Sequence, residues 1–211
     1  FFPIEKLRKS NPQLLNSFIE QLLNNTIKVD EVTDIKIEFA GGLPKRDLLD
    51  DLTSFDAYIA YKSGVKVGGI GIEVKYTEES YPYGKIEYKR MFELVNSEYV
   101  QLTKRCDYFT DNAIEKLRTK KLKQPWRNQL LGIKLVEKGA LDQFHSVHLY
   151  PKANNYQNEV CGEYQKYLKE NHKNTFIPLT FEKFIEVAER ILGKDEYIID
   201  INWIEYLKNR Y

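Results

Sequence analysis

The sequence predicts a mixed α/β domain, with a sheet drawn mainly from the first 150 residues and helices packed around it. Three observations point there. Alternating or β-branched runs occur at 34–40, 55–61, 67–76 and 144–151, the period-two pattern of strands. Leucine-rich stretches at 11–24 and 124–139 repeat apolar residues at helical spacing. The resulting order is helix, three strands, helices, a fourth strand, helices, which makes layers of helix against sheet.

Taken in order, "NPQLLNSFIEQLLN" (11–24) sets Leu14, Leu15, Phe18, Leu22 and Leu23 on one helical face. Asn11 serves as N-cap, with proline at the first helical position. "DIKIEFA" (34–40) alternates apolar and charged residues as a strand does, and "AGGLPKRDLLDDLTS" is a loop by its Gly, Pro and Asp content. "FDAYIAY" (55–61) and "VGGIGIEVKY" (67–76) are two strands joined by "KSGVK". In "QPWRNQLLGIKLVEKG" (124–139), Leu130, Leu131, Ile133, Leu135 and Val136 form an apolar face. Trp126 belongs to packing, and Gly139 ends the helix. "FHSVHLYP" (144–151) is the fourth strand. The remainder reads as helical: about 157–170, then 180–192 with Thr180 as N-cap, then a piece near 200–209.

Composition narrows the function classes. With 211 residues, 42% hydrophobic and 30% charged, the chain suits one globular domain over residues 1–211. No apolar run reaches the roughly 18 residues of a membrane span. The net charge of +1 gives no overall pull on nucleic acid, so any such affinity needs a local patch. Cys106 and Cys161 lack a CxxC partner or a His/Cys cluster, which argues against structural zinc and suits a reducing, cytoplasmic setting. The chain starts at Phe1 with no basic n-region, so the expectation is no signal peptide and a short missing N-terminal piece. His145 and His148 lie three apart on a strand and face opposite ways, and His172 falls in a loop. No histidine-based site is expected.

The informative stretch is "GGIGIEVKYTE". On a strand, Ile70, Ile72, Val74 and Tyr76 share one face while Gly69, Gly71, Glu73, Lys75 and Thr77 share the other. The glycines leave that second face open to an approaching group. A two-residue turn at Gly64-Val65 sets Asp56 opposite Glu73; a turn at Ser63-Gly64 makes Glu73 its diagonal neighbour. Either way two carboxylates share a face with Cβ atoms about 5–8 Å apart, and a positive charge must offset them. A register slip would also turn Phe55, Ala57 and Ile59 away from the face of Ile70, Ile72 and Val74. Lys75 is one source of positive charge, as a cross-strand ion pair on a solvated face. A divalent cation with oxygen ligands, Mg²⁺ or Mn²⁺, is the other. Acid-x-Lys recurs at Asp34-Ile35-Lys36 and Glu87-Tyr88-Lys89, but neither stands on a hairpin presenting a second acid.

Further along, Lys116, Arg118, Lys120, Lys121, Lys123 and Arg127 form a basic run with no acid between Lys116 and Glu137, suited to phosphate contacts. Tyr81, Tyr83 and Tyr88 offer rings for stacking on bases.

Asp56, Glu73 and Lys75 in these positions resemble the PD-(D/E)xK nuclease superfamily. "GIEVKYTE", with "FDA" upstream and "WRNQLL" downstream, is similar to a group of bacterial restriction-endonuclease-like proteins. Phe55 stands where the superfamily often has proline. The resemblance covers residues 1–152 as a restriction-endonuclease-like core of mixed sheet and flanking helices, leaving 153–211 as a helical C-terminal extension. It implies that Asp56, Glu73 and the Val74 carbonyl hold Mg²⁺ (Mn²⁺ as substitute), with Lys75 beside the attacking water. It also implies that Glu20 is an accessory acid on the first helix, and that Gln124, Arg127 and Gln129 face the substrate. The expected activity is metal-dependent hydrolysis of phosphodiester bonds. A DNA endonuclease of restriction, defence or DNA processing, acting on double-stranded DNA as a homodimer, is the leading form. An RNA nuclease, or a silent nucleic-acid-binding or scaffold module of the same fold, is the alternative.

Overall fold

The computed structural model describes residues 2–89, 97–192 and 201–210. A five-stranded sheet in the order β1-β2-β3-β4-β5 divides the molecule: β1 (Glu31–Phe39), β2 (Phe55–Ser63), β3 (Lys66–Val74), β4 (Gln143–Tyr150) and β5 (Phe176–Thr180). The first three strands pair antiparallel; β3–β4 and β4–β5 are parallel. One face is covered by α1 (Phe2–Ser10), α2 (Pro12–Leu22), α8 (Phe181–Leu192) and α9 (Ile201–Arg210). On the other lie α4 (Glu98–Arg105), α5 (Ala113–Leu117), α6 (Lys123–Glu137) and α7 (Asn155–Gln165). A four-residue helix α3 (Lys85–Tyr88) stands in the β3–β4 crossover.

The sheet is therefore buried on both faces, as parallel pairing with helical crossovers demands. Ile59, Ile70, Ile72, Val147, Leu149 and Leu179 meet Leu15, Phe18 and Ile19 of α2 and Val187 of α8 on the first face. Phe144 and Phe176 meet Trp126, Leu130 and Tyr164 on the second. Trp126 is fully buried and donates its indole N–H to Thr103 Oγ1 at 3.0 Å.

Local signals for helix ends hold. The Asn11 side chain accepts from the Leu14 amide, Thr180 Oγ1 accepts from the Lys183 amide at 3.2 Å, and Gly139 sits at φ +70° after α6. The hairpin turn falls at Gly64-Val65, since Ser63 pairs with Lys66, Lys62 with Val67 and Ala57 with Ile72.

Four expectations need correction. The last third of the chain is not all helix: Phe176–Thr180 forms β5, paired in parallel with β4. Its five residues contain Pro178, which masks the pattern and is tolerated because β5 is an edge strand. The helix expected at 157–170 is Asn155–Gln165, followed by a 3₁₀ segment at Glu170–Thr175. Helices α1, α3, α4 and α5 were not legible at all; all four have nine residues or fewer of mixed polarity, and α1 precedes the readable cap at Asn11. Finally, the glycine face is not open. A Cβ on Gly71 would fall 2.5 Å from the Phe55 ring and 2.9 Å from Phe144, and one on Gly69 would fall 2.6 Å from Tyr58 Oη. The glycines exist so that aromatic rings can lie on the strand. Phe55 accordingly joins this second face, stacked on Phe144 at 5.4 Å, instead of following Ala57 and Ile59.

Candidate active site

Continuing the β2–β3 register by one pair beyond Ala57–Ile72 sets Asp56 beside Glu73. Asp56 Oδ2 accepts the Val74 amide at 2.7 Å, which locks the acid onto the neighbouring strand. Glu73 is in the last turn of the pleat before β3 ends, and its side chain is 6% exposed. A buried carboxylate must be paired or hydrogen-bonded. Glu73 has both: Lys75 Nζ lies 2.5 Å from Oε1 and Asn128 Nδ2 donates to Oε2 at 2.7 Å. Asn128, 1% exposed on α6, is a site residue that the sequence reading missed. Nothing in a single Asn on an amphipathic helix marks it; only the spacing of four to Gln124 hints at a shared face, and Gln124 Nε2 reaches Asn128 Oδ1 at 3.4 Å.

One turn further along the same face is Gly132. A Cβ there would fall 1.9 Å from the Phe144 ring. The missing side chain lets α6 lie close on β4, and that closeness brings Asn128 within reach of Glu73.

Asp56 is solvent-exposed at the mouth of the site. Its carboxyl is held above the ordinary value of 3.8, first by loss of water on the side facing the sheet and then by the Glu73 charge; the Val74 amide and Lys75 oppose the rise. Two carboxylates thus face one ammonium, leaving a net negative centre of hard oxygen donors. Among the described residues no three His, Cys, Asp or Glu side chains gather. Mg²⁺ or Mn²⁺ fits such a set, because Mg²⁺ is commonly held by one or two carboxylates with water completing its shell. A soft or imidazole-preferring metal does not fit.

His148 is the second missed residue. It pairs with Glu73 across β3–β4 and is 2% exposed. Burial pushes its imidazole down to about 4, so it is neutral at physiological pH. Its Nε2 lies 3.0 Å from Gln157 Oε1 on α7, and Gln157 Nε2 donates to the Glu78 carbonyl at 2.8 Å. His145, as expected, turns the other way, with Nδ1 3.5 Å from Tyr61 Oη. A narrow cavity beside the centre is lined by Lys75, Tyr81, Lys121, Gln124, His148 and Gln157.

The remaining expected residues divide. Gln124 reaches the cavity, Lys120 is exposed, and Lys121 pairs with Glu159 and Glu163 of α7 at 3.2 and 3.0 Å. Lys123 and Arg127, expected to face substrate, instead converge on Glu87 of α3. Lys123 Nζ is 3.0 Å from Oε2, and Arg127 Nη1 is 2.6 Å from Oε1. Lys123 also donates to the Pro82 carbonyl and covers the Tyr83 ring, and Arg127 binds Thr53 Oγ1. With side-chain exposures of 5% and 18%, their donors are spent inside the protein, fastening the β3–β4 crossover to α6. Gln129 is fully buried and donates to Thr175 Oγ1 at 3.1 Å, away from the carboxylates. Glu20 lies on α2, across the sheet, where it accepts the Val29 amide and pairs with Lys28 at the hairpin-turn end of β1. Of the tyrosines, Tyr83 is packed with its hydroxyl on the Arg118 carbonyl; Tyr81 and Tyr88 are exposed, and Tyr81 lies 5.9 Å from Lys75 Nζ.

Comparison with curated proteins and with solved structures gives no match. A family model does match, that of the PD-(D/E)XK nuclease superfamily, over residues 6–211. The match runs through β5 and α8 as well as the hairpin, and the observed mixed sheet between helical layers is the restriction-endonuclease-like α/β arrangement. The chain belongs to the PD-(D/E)XK nuclease superfamily, whose members hydrolyse nucleic acids.

Proposed function

We propose that the chain is a divalent-metal-dependent endonuclease that cuts double-stranded DNA, in restriction, defence or DNA processing, with Asp56, Glu73 and Lys75 as its catalytic groups. The observation that carries this reading is the pair of carboxylates on adjacent antiparallel strands, with Lys75 Nζ 2.5 Å from Glu73 Oε1.

In this reading Asp56, Glu73 and the Val74 carbonyl hold Mg²⁺, in keeping with the general use of divalent metals across the superfamily. The bound ion supplies positive charge against the phosphate and eases ionisation of the attacking water. Asn128 holds the Glu73 carboxylate in its aim by donating to Oε2. Lys75 is a donor-only group already bound to a carboxylate, so its part is to orient the water and to stabilise negative charge developing on the phosphate. His148, neutral and buried, adds no second cation to compete with Lys75 for Glu73. Gln124 and Lys121 line the cavity beside the centre and Lys120 is exposed; these are the groups offered to phosphates, Lys121 by exchanging Glu159 and Glu163 for the nucleic acid.

The test is cleavage of circular double-stranded DNA, single-stranded DNA and RNA with Mg²⁺ or Mn²⁺, beside the Lys75→Ala protein. Cutting of the circle that needs the metal and falls about 10³-fold in the variant is expected. Cutting of RNA alone would change the substrate, and no cutting together with no Mn²⁺ binding by calorimetry would leave a silent binding module.

A further inference from the structure

Lys75 stands one residue beyond the end of β3, and its amide, on the Leu149 carbonyl at 2.8 Å, is the last ladder contact of that strand. From Tyr76 to Gly84 the chain has no helix or strand. A lysine on such a segment would lose its aim, yet this segment is held on several sides. Asn154 Nδ2 donates to the Tyr76 carbonyl at 2.8 Å, Gln157 Nε2 to the Glu78 carbonyl at 2.8 Å, and Tyr156 Oη to Ser80 Oγ at 2.9 Å. All three come from the first turn of α7 or its cap, in the part of the chain to which the sequence assigned no role. Glu78, the last residue of the "GIEVKYTE" string, completes the device: its Oε2 accepts the Tyr76 amide at 2.7 Å and folds the segment back on itself. Backbone N–H groups hold its carboxyl below the ordinary range.

Gln157 has a further constraint. Its Nε2 donates to a carbonyl, so its Oε1 must accept, and His148 therefore carries its proton on Nε2. One amide thus ties the β4 side chain beside Glu73 to the backbone three residues past Lys75.

We propose that the N-terminal turn of α7, through Asn154 and Gln157, positions Lys75 for catalysis, with Glu78 as the internal brace of the same segment. The two are positioning residues; neither is required to touch the nucleic acid. The proposal rests on the nuclease reading above and extends it to residues outside the hairpin.

The test uses substitutions that change one hydrogen bond each. Asn154→Asp keeps the oxygen that caps α7 on the Gln157 amide but opposes a carboxylate to the Tyr76 carbonyl. Gln157→Glu keeps the acceptor for His148 and loses the donor to Glu78. Each variant should lower kcat about 10–100-fold, the usual effect of a misplaced catalytic group. KM for DNA and Mn²⁺ affinity by calorimetry should stay within about twofold of the parent, with kcat taken per folded protein, because Gln157→Glu buries a carboxylate against the Glu78 carbonyl and lowers the melting temperature. A kcat unchanged in both variants overturns the proposal, as does a loss that only tracks a fall in folded protein on thermal melting. A parent chain that cuts nothing overturns the nuclease reading and this one with it, so the two failures are told apart by the parent lane.

Discussion

Asp56 shows what one side chain of the site asks of the fold. Because its carboxyl is raised above 3.8, the folded chain binds that proton more tightly than the unfolded chain does. The linked stability is present at low pH and is lost as pH rises through the elevated folded value, so at neutral pH the ionised Asp56 destabilises the metal-free protein. Asp56→Asn removes the charge and keeps an oxygen for the Val74 amide. Its melting temperature in chelator should therefore exceed the parent's by about 1–3 °C, modest because the group is exposed to solvent. Mg²⁺ should stabilise the parent and not the variant; a variant that melts lower in chelator would make Asp56 a plain structural acceptor. This residue, with Glu73 and Lys75, was legible because period-two alternation and turn chemistry fix a hairpin register without outside help. Asn128, His148 and Gln157 were not, since each depends on where α6, β4 and α7 come to rest. Lys123 and Arg127 show the same limit from the other side: charge in a sequence does not say whether a buried Glu87 waits for it.

Among the elements, α6 decides whether the site is assembled. Gln124, Asn128 and Gly132 recur every four residues on the face toward the sheet, and Gly132 sets how near that face can come. Gly132→Ala gains helix propensity of about 1 kcal/mol, but its methyl would overlap Phe144. Overpacking of this kind costs about 1–3 kcal/mol and lifts the helix. The expected outcome is a lower urea midpoint together with a loss of nuclease rate larger than the stability change explains, since Asn128 retreats from Glu73. An unchanged rate in the folded variant would show that the helix spacing is not set there. The helix itself was readable from its leucines and from Gly139, whereas β5 was hidden by Pro178 and α1 by its mixed composition.

At the scale of the molecule, the division into a core of residues 1–152 and an appended remainder does not describe how the apolar surface is shared. Leu179, Phe181, Val187, Ala188 and Leu192 are each at most 6% exposed and belong to the same cluster as Ile59 and Ile70. Burial of a large apolar side chain contributes about 1.5–3 kcal/mol, so losing the four large ones removes about 6–12 kcal/mol, as much as the 5–15 kcal/mol by which domains are stable. A chain ending at Lys152 should show no cooperative thermal transition by circular dichroism; a sharp melt would mean that the first four strands stand alone. Fold class was visible in the sequence because it rests on local periodicity. The sharing of the core was not, because it rests on α8 packing against α2, some 170 residues away along the chain. Among the described residues no helix is long and apolar enough to cross a membrane.

The burial of the sheet on both faces has a spectroscopic consequence. The chain has two tryptophans, and they fall on opposite sides: Trp126 is fully buried against Tyr99 on the α6 face, and Trp203 lies edge-on to Phe184 on the α8 face. Replacing either by phenylalanine leaves a single emitter dedicated to one layer. Fluorescence of the pair of variants then follows the two halves of the sandwich separately during unfolding, one variant for the layer that carries Asn128 and Gln157 and the other for the layer of α2 and α8.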